Sequence, residues 1–497
     1  MGGKFSVLLH VFFLIVFLTA SPSLYADDPQ VSSSDQGGFR GDAQRVIDAA
    51  LQPGTFQTIE NLVKIIGDGI DWYFDRLTVG ADYAKVGEAS GSLVDGLGQG
   101  FTDIGVNKAV NDSLDLAESG AKKYWIEDFS KQILKGTDVK VSPYFKGGME
   151  YTSNVFREPE APKRRDEVLW LWTPGVSVNY PFGDEKQYRV GAVYEARITE
   201  FTRHDDHDDV GQSLGAVGDF KFDNLYVNIK EEFVQDAARA GTRRAKRVEY
   251  TDQKVTPTIG YNWRDWTVEG EYTNAIRDFD SATYRAFSYA NNAYQVRLLR
   301  TLAPSFRGLV DYTFSHYDYA ADETRVGHYH QIRTGVTGKL SARTDLTARV
   351  GYQNRNYRAH DSQFDIPVAD IRLTHRLTRK TALDFYFHRT TGESSFTNNR
   401  AYDEKMVQGS GSYVFNSKFR GRTGASFARR EFENPATIGA IVSERRDILG
   451  TAFVGLDYIF RPWLIVNLDY KYERSNSNNS NFDYTNNIVA LGMTMPL

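Results

Sequence analysis

The stretch DYTNNIVALGMTMPL, Asp483 to Leu497, closes the chain. Val489, Leu491, Met493, Met495 and Leu497 are apolar, while Ala490, Gly492, Thr494 and Pro496 between them are small or polar. A period of two is the mark of a strand with one greasy face. The run reaches the last residue with no charged tail behind it. A bare apolar edge strand offers unpaired amides and carbonyls to any passing chain, a hazard that soluble domains avoid. This strand therefore needs a neighbour, and the first strand of the same chain is the nearest supply. A barrel closed in that way and apolar on its outside is what a bilayer demands, because it leaves no backbone polar group unpaired in lipid.

Composition fits such a barrel. Mean hydropathy is −0.47 over 497 residues, polar overall, yet 29 Tyr and 31 Phe stand against 5 Met. Alternating wet and greasy faces cancel in such an average. Past the N-terminus no window holds the roughly 18 apolar residues of a spanning helix. With no cysteine, disulfides and thiolate metal sites are excluded, and a net charge of −5 gives no basic field for nucleic acid.

At the other end Lys4 precedes an apolar run from Val7 to Ala20 and small residues up to Ala26, which reads as a secretory signal peptide over 1–26. Residues 27–41 are polar and read as a flexible leader. Over 42–138 the period moves towards 3.6: Ile59, Leu62, Val63 and Ile66 share a helix face, and glycines such as Gly80, Gly91, Gly96, Gly98 and Gly100 interrupt the helices. We expect a helical region there, either periplasmic or plugging a barrel that occupies 139–497.

From Val141 onward the period becomes two, in about eighteen segments long enough to cross a membrane at a tilt. The links between them alternate. Short ones such as FDN 222–224, WRD 263–265 and NSK 416–418 follow even segments, and longer polar ones such as 154–167, 235–251 and 430–443 follow odd segments. Short periplasmic turns and longer outside loops make that pattern. Side-chain alternation then separates the faces. Leu464, Val466, Leu468, Tyr470 and Tyr472 oppose Asn467, Asp469, Lys471 and Glu473, and Val310, Tyr312 and Phe314 oppose Asp311, Thr313 and Ser315. A row of polar groups cannot meet lipid. The expected inward, pore-lining groups are Arg189, Glu195, Arg197, Glu269, Glu271, Arg297, Asp311, Arg333, Arg349, Arg372, Asp384, Asp469, Lys471 and Glu473, together with Lys339, Asp370 and Asp457. Both signs are mixed, so strong ion selectivity is not expected. Trp263, Trp266 and Trp463 fall at the short turns and Trp170 and Trp172 at the outer end of their strand, as interfacial girdles require.

The opening hairpin, VSPYFKGGMEYTSNVF 141–156 with LWLWTPGVSVNYPFGD 169–184, and the closing one, LDYKYERSNSNNSNFDYTNNIVALGMTMPL 468–497, resemble the Putative beta-barrel porin 2 family of Gram-negative bacteria. The resemblance covers about Val141 to Leu497 and departs from the common barrel ending in carrying Leu497 where an aromatic is usual. It implies an outer-membrane pore associated with exopolysaccharide export.

No catalytic constellation emerges. His204, Asp205, Asp206, His207, Asp208 and Asp209 have metal-ligand chemistry but sit in an expected loop, where a charge run is solvated. Arg243, Arg244, Lys246 and Arg247 form a basic tip on another loop, which reads as solvated, with contact to lipopolysaccharide phosphates or an anionic polymer as the sharper alternative. His328 and His330 flank Tyr329 at a strand's outer end and read as an interface position. Three functions follow: a conduit for a secreted polysaccharide, a general porin for small hydrophilic solutes, or an outer-membrane enzyme or adhesin acting through its loops. The expected partners are outer-membrane lipid and lipopolysaccharide, the barrel-assembly machinery through the C-terminal strand, and periplasmic polysaccharide-export components, with no nucleic acid, cofactor or metal.

Overall fold

The computed structural model describes residues 139–159, 164–183, 186–239, 247–319, 321–358, 363–394, 400–438 and 441–496. The signal peptide, leader and helical region expected over 1–138 lie outside them, as do Arg243, Arg244, Lys246 and the terminal Leu497.

Eighteen antiparallel strands make one sheet. They are β1 (Lys140–Thr152), β2 (Glu167–Phe182), β3 (Tyr188–Phe201), β4 (Asp209–Lys221), β5 (Leu225–Arg239), β6 (Arg247–Trp263), β7 (Trp266–Phe279), β8 (Tyr289–Ala303) and β9 (Phe306–Asp318). The second half is β10 (Gly327–Ser341), β11 (Thr344–Tyr357), β12 (Gln363–His375), β13 (Thr381–Glu393), β14 (Ala401–Val414), β15 (Phe419–Ile438), β16 (Ile441–Arg461), β17 (Leu464–Ser477) and β18 (Tyr484–Pro496). Each strand pairs with the next, and β1 also pairs with β18 from Tyr144 opposite Pro496 to Thr152 opposite Ile488. The closing strand thus finds its partner in the first, and the barrel has no free edge.

A closed sheet has only two faces, and alternation tells them apart. On β9 Asp311, Thr313 and Ser315 are buried while Val310 and Tyr312 are exposed; on β17 Lys471, Glu473 and Ser475 are buried while Leu468 and Tyr470 are exposed. The exposed apolar set is the outer face, where lipid covers it. Trp263 and Trp463 are exposed at the end of the barrel that carries the short links, and Trp170 is exposed on β2. Towards the other end the greasy band stops at an aromatic row in which Tyr272 pairs with Tyr294 and Tyr294 with Phe314. The next outer row is polar: Asn274, Asn292, His316, His328 and Asn356 stand opposite one another across β7 to β11. His330 belongs to this boundary, its Nδ1 2.7 Å from the Tyr312 hydroxyl.

Two expected loops prove shorter. Much of 235–251 is strand, in β5 and β6, and 430–443 is almost wholly β15 and β16, which pair as far as Ile438 opposite Ile441. Beyond the membrane no lipid imposes an apolar face, so alternation fades and the sequence reads as loop although the backbone ladder continues. Side chains support the extensions: Arg445 holds Asp447 at 2.6 Å and packs its guanidinium over the rings of Phe432 and Phe482, and Val248 packs with Phe279 and Phe287.

Candidate functional site: the charged inner wall

The inner face carries ladders of charge that run around the barrel. Asp311 on β9 is fully buried and is the hub of the longest. Arg333 Nε donates to its Oδ1 at 2.9 Å, Gln295 Nε2 reaches the same oxygen at 3.3 Å, and Arg349 Nη1 stands 3.8 Å from Oδ2. Arg349 continues to Asp370 at 2.8 Å, and Gln295 links back through Arg297 to Glu269, which also accepts from the Tyr226 hydroxyl. The chain of contacts spans β5 to β12. Gly351 makes room for it, since a Cβ there would meet Arg333 Cγ at 2.8 Å and the Ile332 carbonyl oxygen at 1.9 Å.

A second group centres on Glu195, which accepts from Tyr144 at 2.7 Å and Lys146 at 2.6 Å, with Arg197 bridging on to Asp236 at 3.0 Å. A third joins Arg420 and Arg422 to Asp457, and Arg422 to Asp469 at 3.0 Å. Nearer the long-link end Glu473 is held by Lys471 at 2.6 Å and by Arg157 at 3.0 Å. There Arg355 pairs with Glu393 beneath the rings of Tyr317, Tyr329 and Tyr357. Tyr319, just past the end of β9, donates to Glu393 at 2.8 Å, and burial holds its hydroxyl well above the usual phenol range, so it remains a donor. Several of these contacts skip a strand: Glu195 joins β3 to β1, Asp236 joins β5 to β3, Asp469 joins β17 to β15 and Glu393 joins β13 to β11. Strands two apart are roughly 10 Å apart, so such reach suits a concave wall on which side chains converge.

All seventeen residues expected on the inner face occur in these strands, most in such contacts. Arg189 pairs with Asp219 at 2.5 Å, Glu271 accepts from Thr258 at 3.4 Å, Asp384 accepts from Thr374 at 2.7 Å, and Arg372 lies over the Tyr386 ring. Alternation did not single out Tyr144, Lys146, Asp219, Arg307, Arg420 or Arg422. Arg307 could have been found by carrying the β9 alternation two residues past Leu309, an apolar residue on the inner face that hides the pattern. The His204 run is a short 3-10 turn, Asp205–His207, in which His204 Nδ1 contacts Glu167 Oε2 at 2.5 Å and both histidines pack on Phe156.

At the short-link end the wall opens into a cavity of about 610 Å³ over β8 to β12, lined by Arg307, Lys339, Asp345 and Arg372 with Thr301, Thr337, Thr347 and Thr374. Thr301, Arg307, Thr337, Thr347 and Arg372 form one cross-strand row. Gly338 shapes this floor. Its φ of +138° suits glycine, and a Cβ would meet the Ser305 carbonyl oxygen at 2.1 Å, while the next residue, Lys339, donates its amide to that oxygen at 2.7 Å. Gly338→Val is expected to cost about 1–3 kcal/mol in strain, read as a lower urea midpoint of the protein refolded in lipid vesicles.

The sequence profile of the Putative beta-barrel porin 2 family matches residues 140–497, the whole barrel. The chain belongs to this family. Membership in the Putative beta-barrel porin 2 family makes it a porin-like barrel and implies an outer-membrane location, and porins are channels rather than enzymes. No curated protein matches the chain. Among solved structures it is similar to Acinetobacter baumannii OccAB3, with 13% identity and a TM-score of 0.41 over 72% of this chain and 99% of that one. It is also similar to Pseudomonas aeruginosa OccK2 (OpdF) in complex with glucuronate, with 11% identity and a TM-score of 0.43 over 72% and 98%. Overlaps this loose carry no argument about the solute.

Proposed function

We propose that this porin is a passive diffusion pore for small hydrophilic solutes. The observation that carries the reading is the inner wall, where carboxylates and guanidiniums of both signs pair across neighbouring strands and present a wet, internally balanced surface. A wall of that kind leaves solutes with little to overcome beyond size. The polymer-export expectation rests on family resemblance alone, and neither the fold nor the comparisons add support to it. The closing strand, β18, remains the natural handle for barrel-assembly machinery, and lipopolysaccharide the natural neighbour of the outer rim.

Liposome swelling with the purified full-length protein tests the pore. Swelling should fall steeply from arabinose through glucose to raffinose. Failure to swell in any of these sugars, with the folded barrel verified in the same vesicles, would sink the proposal.

A further inference from the structure

We propose that the cavity at the short-link end of the lumen is a binding site for a polyhydroxylated carboxylate, a sugar acid, and it rests on the pore reading only in needing a solute to pass. Elsewhere on the wall the long ladders neutralise themselves. Here Arg307, Lys339 and Arg372 line one cavity with Asp345 as its one carboxylate, and among the described residues none of the four forms an ion pair within 4.0 Å. Even Lys339 and Asp345, directly opposite each other on β10 and β11, do not pair.

The row geometry says what the surplus charge can hold. In that row Arg307 and Arg372 flank Thr337 and Thr347, whose hydroxyl oxygens are 2.8 Å apart. Arg372 is steadied by the Tyr386 ring, 5.3 Å from its guanidinium. A guanidinium offers a carboxylate two parallel donors, and Lys339 adds a third cation. Threonine hydroxyls and the Asp345 carboxylate supply acceptors and donors for a polyol chain. A bare inorganic anion would use the cations and leave the hydroxyls and Asp345 idle, and a neutral sugar would leave the cations idle. A molecule carrying one carboxylate and several hydroxyls uses both.

Isothermal titration of the full-length protein in detergent with gluconate, sorbitol and inorganic phosphate tests the site without requiring flux. Gluconate is expected to bind saturably and sorbitol not to bind. Phosphate should compete only weakly. Arg307→Gln and Arg372→Gln should each weaken gluconate about tenfold, while Arg307→Lys, which keeps the charge, should lose less. Both arginines line the open cavity, and heat-modifiable gel mobility verifies that the variants fold. Absence of gluconate binding, unchanged affinity in both glutamine variants, or phosphate displacing gluconate at equal concentration would each overturn the site. Gluconate binding by a protein that swells no liposomes would leave the site standing and remove the pore.

Discussion

Asp311→Ala is expected to destabilise the barrel by about 3–5 kcal/mol. The side chain is wholly buried, and Arg333 and Arg349, both mostly buried, share it as their common anion. Removing it strips two guanidiniums of that anion at once, and breaking a buried pair costs more than the pair contributes, because the survivor remains as uncompensated charge. Arg349 retains Asp370, so the heavier loss falls on Arg333. Arg333→Met in the Asp311→Ala background should therefore recover much of the stability. Urea unfolding in lipid vesicles, followed by tryptophan fluorescence, reads both changes. A drop of less than about 1 kcal/mol, the worth of an exposed pair, would mean that water already screens the ladder.

Leu491→Arg should cost about 2–4 kcal/mol, the depth-dependent penalty for an arginine at the bilayer midplane. Leu491 lies on the outer face of β18, 48% exposed, with Leu468 on one side and Met149 on the other, both also exposed. On that face of β17 an arginine, Arg474, comes only after Leu468, Tyr470 and Tyr472, close to the long-link rim. The same urea measurement applies. An unchanged midpoint would place Leu491 somewhere other than in lipid.

Much of this was legible in the residues alone, because a membrane barrel writes its two solvents into every second position. Val310, Tyr312 and Phe314 against Asp311, Thr313 and Ser315 needed nothing more than a period of two. Legibility failed where only one solvent remains. At β15 and β16 beyond Glu431 the backbone ladder continues while Phe432, Arg445 and Asp447 pack on one another, a pattern without the apolar-polar alternation of the membrane-spanning part. It failed again at Arg307, whose inner-face neighbour Leu309 is buried and apolar. The pairings themselves were not readable, since Tyr144 meets Glu195 across an intervening strand and Asp311 gathers partners from three strands, a matter of register and curvature rather than of order.

The contacts that pass over an intermediate strand act on the wall as hoops act on staves. Each ties three strands into one stiff panel, so the cross-section resists flattening. A tube braced in that fashion resists narrowing by being squeezed.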